Sequence, residues 1–326
     1  MFLLLVFSCN NSTGEYWQPY DESAELAQNA DHEIARMRYK LIQSTFLDKD
    51  AMWATFEKEL RGFDTSYDAL KQLIIEQDIP TLQRHIASGK LSYEGLVKFY
   101  LYRIRLLESN PQTTLHAVLA LNPNIINEAK QKDRQAAADM HPIYGIPILL
   151  KDNINTANMP TTAGAAILEN HIPDEDAFVV KQLKNKGALI LGKVNLSEWA
   201  YYFCDGCPVG YSAVGGQTLN PYGRRIFETG GSSSGSAVAV AANYAVAALG
   251  SETSGSILSP SSQNAVVGLK PTIGFVSRTG IVPISSTLDT SGPITKSIAD
   301  TAILLDAIAV PDPQDKITLR APRLTA

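Results

Sequence analysis

The segment from 230 to 256 constrains the fold more than any other stretch of the chain. It reads GGSSSGSAVAVAANYAVAALGSETSGS, which is a Gly/Ser turn, a run of small apolar residues and a second Gly/Ser turn. Two serines occupy comparable places in the turns: Ser232 follows a Gly-Gly pair and Ser256 follows a single glycine. Glycine-rich turns leave backbone N–H groups uncovered, and a helix that starts there adds the positive end of its dipole. The segment therefore predicts a site for an anion or an oxyanion beside two serines.

Residues 235–248 lie between the two turns and are nearly all Ala and Val. A helix made of them would be apolar on every side, so we expect a buried helix across this range. A buried helix needs a large core around it, and a chain of 326 residues can supply one, either as one large domain or as two.

Two strands and a helix indicate the fold class. Residues 146–150 are an apolar run of strand length, and ALILGKVN at 188–195 reads as a second strand. Between them, 173–187 predict a helix with acids in its first turn, lysines in its last turn and Gly187 as its stop. A strand–helix–strand unit implies a parallel crossover. The expected fold is therefore α/β, with a sheet covered by helices on both faces.

The patterning divides the chain into three parts. Residues 1–20 form an apolar leader and a polar tether, and 21–77 predict a helical segment. The charged first part of that segment, 21–62, is loosely amphipathic and expected at the periphery. One large domain is assigned to 78–326, where a long helix with Ser92 as its N-cap belongs to the scaffold.

The first nine residues, MFLLLVFSC, form an apolar run too short to span a bilayer. They resemble the end of a bacterial lipoprotein signal, with Val6, Ser8 and Cys9 near a lipobox pattern. On this interpretation a lipid on Cys9 tethers the protein to a membrane, and the protein is located in the cell envelope or periplasm. The alternatives are a frayed hydrophobic N-terminus or a start codon assigned too late, and the protein would then be cytoplasmic.

The charge of the chain excludes one class of partner. Lys and Arg number 28 against 33 Asp and Glu, which gives a net charge of −5, and no basic run occurs. A nucleic-acid groove needs a clustered basic surface, so we expect no nucleic-acid partner. The 45% of hydrophobic and 19% of charged residues are typical of a soluble globular protein.

The cysteines indicate no metal site. Besides Cys9 the chain has Cys204 and Cys207, a single C-x-x-C with no second pair and no nearby His. This pattern is weak support for zinc, and a local disulfide and two packed thiols are equally open alternatives. HExxH and paired metal-ligand spacings do not occur in the sequence, so neither a metal nor a cofactor is expected.

Lys151 stands at the end of the first predicted strand, beside Asp152 and Asn153. Most lysines at strand ends reach into solvent, but this strand has no polar face, so its amine could be held in a poorly hydrated place. Desolvation favours the neutral form and lowers the pKa of a lysine. A neutral lysine is a base. Taken alone, the residue is either a solvated strand end or a functional base.

Known serine chemistries can be tested against the two turns. GGSSSG has the glycine frame of a phosphate-binding loop, but Ser236-Ala237 stands where that motif needs Lys followed by Ser or Thr. Residues 231–235 match the nucleophile elbow G-x-S-x-G, yet no strand precedes them and every histidine lies upstream. No S-x-x-K motif occurs. What remains is serine chemistry with a lysine base.

Several runs of sequence resemble one known family. They are GIPILLKDNI, GGSSSGSA, SETSGSI, the tail VGLKPTIGFVSRTGIVPISSTLDTSGP and the loop AVGGQTLNPY. On these motifs, which follow the family's order between residues 78 and 310, the chain resembles the amidase signature family. Within it the chain is similar to stand-alone bacterial amidases of the peptide amidase type. The resemblance implies a central mixed, twisted β-sheet covered by helices on both faces, in a chain that lacks the family's C-terminal part.

The resemblance also implies roles for residues. Lys151 matches the family's catalytic lysine, Ser232 the bridging serine that follows a cis peptide bond, and Ser256 the nucleophile. Lys151 would take a proton from Ser232, and Ser232 one from Ser256, which attacks the amide carbonyl and forms an acyl-enzyme. Backbone N–H groups of the two turns would bind the oxyanion. The expected oxyanion and substrate-binding residues are Gly230, Gly231, Thr253, Ser254 and Gly255.

Ser254 departs from the family pattern, because many members carry an acid or a glycine at that place. The departure concerns side chains near the nucleophile and leaves the backbone donors unaffected. Arg278, Asp289 and Thr290 lie in the matching tail and are expected to brace loops rather than to contact substrate.

The implied activity is hydrolysis of a carboxylic amide C–N bond, with a small-molecule or peptide amide as substrate, including a peptide C-terminal amide. One alternative is the glutaminase-type amidase subunit of a tRNA-dependent amidotransferase, which shares the serine–lysine apparatus. The lipoprotein-like N-terminus and the lack of a basic face argue against it. The other alternative is an inactive, truncated amidase-like module. The acyl group, the amine and the oligomeric state do not follow from the sequence.

Overall fold

The computed structural model describes residues 20–135, 139–204 and 206–321. The predicted leader, with Cys9, lies outside these ranges apart from its last residue. Within the described ranges, no helix is both long enough and apolar enough to cross a membrane.

A mixed sheet forms the centre of the fold. The strands, in chain order, are β1 (Val118–Leu121), β2 (Pro147–Lys151), β3 (Leu189–Val194), β4 (Tyr211–Ser212), β5 (Gly216–Gln217), β6 (Ala247–Glu252), β7 (Val267–Gly268) and β8 (Thr290–Thr295). β4 and β5 form a separate hairpin, and the other six pair in the order β1-β3-β2-β6-β8-β7. β2 is parallel to β3 and β6, whereas the pairs β1–β3, β6–β8 and β7–β8 are antiparallel. The α/β class and the mixed sheet are confirmed.

Helices flank this sheet. They are α1 (Ser23–Gln28), α2 (Lys49–Ala54), α3 (Glu57–Leu60), α4 (Asp64–Ile74), α5 (Ile79–Ala87), α6 (Tyr93–Glu108), α7 (Ile125–Gln135), α8 (Phe178–Asn185), α9 (Ser234–Ala241), α10 (Leu258–Gln263) and α11 (Ile298–Ile308). α9 packs directly on β2, β3, β6 and β8, and α8 and α11 pack on each other and on β3 and β8. α6 begins as predicted, because Ser92 Oγ accepts the N–H of Gly95 at 2.9 Å.

The predicted crossover is present as β2, α8 and β3, and its two strands are parallel. The helix begins later than the sequence suggests, at Phe178, so the acids at 174–176 precede it and its first turn carries none. Ala177 keeps the chain extended, with ψ of 151°, because its N–H donates to the carbonyl oxygen of Asn155 at 3.0 Å. This tertiary contact delays the helix. Its predicted stop at Gly187, with φ of +88°, is confirmed.

The apolar run at 235–248 is not one helix, as the sequence suggests, but a helix and the start of a strand. α9 ends at Ala241 and β6 begins at Ala247. Between them Asn243 has φ of +57°, a left-handed conformation that stops a right-handed helix. A fully buried run of Ala and Val can form either a helix or a strand. Here the residues from Ala247 onward pair with β2 and β8, so they form a central strand. The predicted burial of α9 is confirmed.

The segment at 21–62 is less helical and less peripheral than predicted. It contains α1, α2 and α3, with a long and mostly irregular stretch between the first two. Met37, Ile42 and Trp53 are each at most 1% exposed and belong to the same hydrophobic core as the sheet. Trp53 lies in the short α2, whereas Met37 ends a 3-10 turn and Ile42 lies in irregular chain, so no single helical period marks the three in the sequence. The segment 21–77 therefore shares its core with the large domain.

The close approach of α9 to the sheet depends on a glycine in its first turn. A Cβ atom on Gly235 would overlap backbone atoms of Asn195, which follows β3, and would lie 2.9 Å from the carbonyl oxygen of Ala117. Backbone atoms of this kind cannot move aside as the end of a side chain can. The glycine therefore sets how near α9 can lie to β3.

Gly235→Ala should lower the free energy of unfolding by about 2–3 kcal/mol, because the new methyl group meets backbone in a packed core. Gly95→Ala is the matched control, since Gly95 lies in the first turn of α6 and the nearest atom to a new methyl is Ser92 Oγ at 3.2 Å. Alanine is better than glycine inside a helix by about 0.5–1 kcal/mol, so the control should be neutral or stabilised. Urea unfolding followed by circular dichroism measures both variants. Equal stabilities would contradict the packing described for α9.

Candidate functional site

Two parallel strands bring the predicted residues to one edge of the sheet. β2 ends at Lys151, and its parallel neighbour β6 ends at Glu252. Carboxyl ends of parallel strands lie at the same edge, where α/β proteins place their ligands. The second Gly/Ser turn follows β6 directly, and the first leads into α9, which packs on both strands. The sheet thus gathers elements that are far apart in the chain.

The Lys151 amine lies at the centre of the cluster. Its Nζ is 2.7 Å from Ser232 Oγ, 2.9 Å from Ser251 Oγ and 3.1 Å from the carbonyl oxygen of Ser251. The side chain is fully buried. All three neighbours are oxygens of uncharged groups, and no carboxylate among the described residues lies within ion-pair distance of this amine. The structure thus places Lys151 and Ser232 in hydrogen-bond contact.

Burial lowers the pKa of Lys151 to about 7, because the ammonium form loses its hydration. The carboxylates of Glu252 and Asp289 oppose this through space and raise the pKa in part. A neutral amine has two N–H groups and one lone pair. The two oxygens of Ser251 can accept the N–H groups, and the hydroxyl of Ser232 can donate to the lone pair. The three contacts therefore suit an uncharged amine.

The first Gly/Ser turn positions Ser232. The peptide bond between Gly231 and Ser232 is cis, as the resemblance implies. Gly230 has φ of +63°, and a Cβ atom there would lie 2.7–2.8 Å from backbone atoms of α10, so glycine is required. The N–H of Ser233 donates to the carbonyl oxygen of Ser256 at 3.1 Å. This bond joins the first turn to the second.

The Glu252 carboxylate organises the second Gly/Ser turn. Its Oε1 accepts the N–H of Gly255 at 2.7 Å, and its Oε2 accepts those of Ile257 and Leu258 at 2.7 and 3.0 Å. Glu252 is 4% exposed, and these three donors replace the water that it has lost. The carboxylate thereby closes a loop with Ser256 inside it.

Gly255 does not offer its N–H to an oxyanion, contrary to the expectation from the sequence. That N–H donates to Glu252 instead, and the glycine serves the turn through its φ of +81°. The N–H groups of Thr253, Ser254 and Ser256 have no acceptor among the described residues. These three are the backbone donors that the second turn leaves free.

Ser232 and Ser256 line two cavities that share these walls. One has a volume of about 220 Å³, and the other, of about 430 Å³, is also lined by Gly231, Ser254 and Gly255. Ser256 is 9% exposed, and its hydroxyl has no hydrogen-bond partner in the described part of the chain. The hydroxyl groups of Ser232 and Ser256 are therefore not hydrogen-bonded to each other. The predicted nucleophile therefore lies at open space beside the predicted relay serine.

Arg278 and Asp289 brace loops, as expected, and they also line the smaller of these cavities. Arg278 donates to Asp315 from Nε at 2.8 Å and from Nη2 at 2.6 Å. Asp289 accepts the backbone N–H groups of 284–285 at 2.8 and 2.9 Å. Thr290, which the sequence also predicts to brace a loop, is the first residue of β8 and lines the same cavity.

Three residues that shape the site receive no role from the sequence: Asn153, Ser251 and Glu252. Ser251 contacts the amine of Lys151 through two atoms, and Asn153 Nδ2 donates to Ser251 Oγ at 2.8 Å. The positions of these three residues in the sequence, at or just after the ends of apolar runs, could have identified them. Asn153 follows the strand-end lysine, and the other two are polar residues at the end of an apolar run that precedes the second turn. In a parallel pair of strands, such ends come together.

Cys204 and Cys207 form a disulfide, which decides between the two alternatives that the sequence leaves open. The Tyr201 hydroxyl donates to the carbonyl oxygen of Cys207 at 2.7 Å, so the bridge is tied to the aromatic residues before it. Across the described ranges, no group of three or more His, Cys, Asp or Glu side chains is arranged to hold a metal ion.

The burial of Lys151 predicts a pH-dependent stability. Its ordinary pKa is 10.5 and its pKa in the fold is about 7. Between these values the unfolded chain binds a proton that the native protein does not, so stability rises with pH. Lys151→Met removes this titration and keeps the volume of the side chain. The stability of the wild type relative to this variant should rise by about 1.4 kcal/mol per pH unit between roughly pH 7.5 and 9.5.

Urea unfolding of both proteins at several pH values measures the difference, and other titrating groups cancel because the two chains share them. A difference that stays constant with pH would mean that the native protein holds Lys151 in its charged form.

A family model described as Amidase matches residues 96–325, a range that includes Lys151, Ser232 and Ser256. A probable amidase of Arabidopsis thaliana is 46% identical over 253 residues, which are 76% of this chain and 48% of that protein. A glutamyl-tRNA(Gln) amidotransferase subunit of Lawsonia intracellularis is 41% identical over 236 residues, which are 69% of this chain and 47% of that protein.

The solved structure of native peptide amidase from Stenotrophomonas maltophilia is similar to this fold, with a TM-score of 0.73 and 48% sequence identity. The similarity covers 77% of this chain and 51% of that one. The chain spans about half the length of the curated relatives it matches.

Proposed function

The chain belongs to the amidase family, and we propose that it hydrolyses the C–N bond of a carboxylic amide through an acyl-enzyme. In this proposal Ser256 is the nucleophile, Ser232 the proton relay and Lys151 the base. The observation that carries it is the distance of 2.7 Å between the buried Lys151 Nζ and Ser232 Oγ, at a cavity wall shared with Ser256.

The first step needs a base because a serine hydroxyl is a weak nucleophile. Burial lowers the pKa of the Lys151 amine to about 7, so a large fraction of it is uncharged near neutral pH and can take the proton of Ser232 across 2.7 Å. Ser232 takes the proton of Ser256 in turn. The only new positive charge then lies on Lys151, where the two oxygens of Ser251 accept its N–H bonds.

Attack forms a bond between Ser256 Oγ and the carbonyl carbon, and the carbonyl oxygen gains the negative charge. The free N–H groups of Thr253, Ser254 and Ser256, together with the first turn at Gly230–Gly231, are the donors proposed for this oxyanion. One such donor is worth about 3–4 kcal/mol in other hydrolases. The proton returns through Ser232 to the amide nitrogen, the C–N bond breaks and the amine leaves. Water then repeats the sequence on the ester, releases the acid and restores Ser256.

The proposal sets the direction of the pH dependence. Because Lys151 acts only when deprotonated, kcat/KM should rise with pH, with its midpoint near the pKa of about 7 and a plateau above it. An ordinary lysine, with its pKa of 10.5, would place the rise far higher. The profile is measured on the best substrate of a panel of peptide, aryl and fatty amides. A flat profile down to pH 5 would contradict a lysine base.

Ser256→Ala should lower turnover by about 10⁴-fold or more and abolish labelling by a fluorophosphonate probe, because the attacking oxygen is gone. Lys151→Met should lower turnover to a similar degree with an unchanged circular dichroism spectrum. Ser262→Ala is the control, since this serine is exposed on α10. Mass spectrometry locates the label. Labelling of Ser256→Ala as rapid as that of the wild type would refute the nucleophile, and a folded wild type that resists labelling would favour an inactive module.

The second candidate is a glutaminase-type subunit of a tRNA-dependent amidotransferase, which the similarity to the Lawsonia protein favours. The same serines and lysine would then release ammonia from glutamine for use by a partner protein. Co-purification with a larger partner and a rate on glutamine above that on peptide and aryl amides would support this function. Turnover of peptide amides by the chain alone would support the stand-alone amidase.

A further inference from the structure

A third cavity, of about 210 Å³, adjoins the cavity that Ser232 and Ser256 line, and we call it the apolar arm. Its walls are chiefly three aromatic residues and three aliphatic ones: Trp199, Tyr202, Phe203, Val282, Pro283 and Ile284. The aliphatic wall, Asn153 and Ala200 also line the serine cavity of about 220 Å³. These shared walls connect the apolar arm with the reacting serines.

The rings of the aromatic wall of the apolar arm contact one another although two of them are exposed. Tyr202 and Phe203 are 63% and 74% exposed. Their ring centroids lie 5.1 Å apart in an edge-to-face arrangement, and the Phe203 ring makes the same kind of contact with Trp199 at 5.7 Å. Exposed apolar surface that is concentrated beside a cavity is typical of a binding site.

The backbone behind this wall is held from both ends. Residues 199–201 have φ of 49°, 54° and 72°, a left-handed conformation that residues other than glycine rarely adopt. The N–H of Trp199 donates to the carbonyl oxygen of Ala163 at 2.8 Å, and the Cys204–Cys207 disulfide closes the other end. Such conformations persist where the surrounding structure enforces them, and they cluster at functional sites. The segment is a preorganised wall.

Asn153 places one polar group where the apolar arm meets the serine cavity. The residue is 2% exposed, and its Nδ2 donates to Ser251 Oγ at 2.8 Å. Its Oδ1 is buried and has no hydrogen-bond partner in the described part of the chain. A buried acceptor without a donor is unfavourable, and a substrate N–H could supply that donor.

We propose that the apolar arm binds an aromatic or similarly bulky apolar group of the substrate, attached on the acyl or the amine side of the scissile amide. This inference rests on the proposed hydrolase function and narrows its substrate class. An apolar cavity of about 150 Å³ holds a benzene-sized ligand, so about 210 Å³ holds an aromatic ring with a short linker. Tyr202 and Phe203 select for that group, and the disulfide positions them.

Two sulfonyl fluorides test the apolar arm without requiring turnover. Phenylmethanesulfonyl fluoride carries a benzyl group and methanesulfonyl fluoride a methyl group, and the ratio of their rates of labelling at Ser256 reports the binding of the ring. Tyr202→Ala and Phe203→Ala should each lower this ratio about tenfold. Tyr222→Ala is the matched control, a tyrosine that is 59% exposed and lines neither cavity, and should leave the ratio unchanged.

The double variant Cys204→Ser/Cys207→Ser should lower the ratio as Tyr202→Ala does, because the wall loses its tether. Two amides then locate the apolar group: 3-phenylpropionamide carries the ring on the acyl side and N-benzylacetamide on the amine side. The one whose kcat/KM falls more in Tyr202→Ala identifies the side that occupies the apolar arm.

The outcomes separate this inference from the proposed function. If Ser256 is labelled but the ratio is unmoved in both aromatic variants, the apolar arm is refuted and the hydrolase stands. If the aromatic variants lower the ratio and the cysteine variant does not, the positioning by the disulfide is refuted. If neither reagent labels Ser256 of the wild type, the nucleophile is refuted, and the apolar arm as a substrate site with it.

Discussion

A fully buried amine with no carboxylate in contact is the constraint on which this structure depends. An ammonium group taken out of water is unfavourable, and a protein relieves it by ion pairing or by deprotonation. Lys193, on the neighbouring strand, shows the first solution, because its Nζ lies 3.1 Å from Asp152 Oδ1 in the core. Lys151 is equally buried and contacts only serine oxygens, which is the second solution. Burial lowers the pKa of both lysines, but only Lys193 has a carboxylate in contact, and that carboxylate opposes the shift.

The two acids whose charge raises the pKa of Lys151, Glu252 and Asp289, are engaged elsewhere, so neither contacts its amine. Glu252 binds three backbone N–H groups of the second turn, and Asp289 binds two in the loop before β8. Each raises the pKa of Lys151 through space, but neither replaces the serine oxygens around its amine. The Glu252 carboxylate therefore both positions the loop that carries Ser256 and raises the pKa of Lys151. Geometry and base strength in this site are coupled through Glu252.

The site combines a rigid centre with a separate wall. Lys151 and Ser251 belong to neighbouring strands of the central sheet, where packing on both sides leaves little freedom. The aromatic wall of the apolar arm lies on an irregular segment, and a disulfide and a left-handed turn supply the order that a sheet would otherwise provide. The proposed chemistry thus lies on the scaffold and the proposed selectivity on a tethered loop, a division that binding sites often show.

The sequence by itself determined the α/β class, the crossover from β2 to β3 and the cap at Ser92, and it named the residues proposed to react, since each is written in local pattern or motif. It misjudged the start of α8 and the end of α9, because a contact from Asn155 and the burial of every side of β6 overrule local preference. It also missed Ser251 and misassigned the Gly255 N–H. Only the tertiary structure decided those, because strand order and parallel register set which distant residues meet. Burial by the whole chain, and not any short segment, lowers the pKa of Lys151 to about 7, and its proposed role as a base rests on that shift.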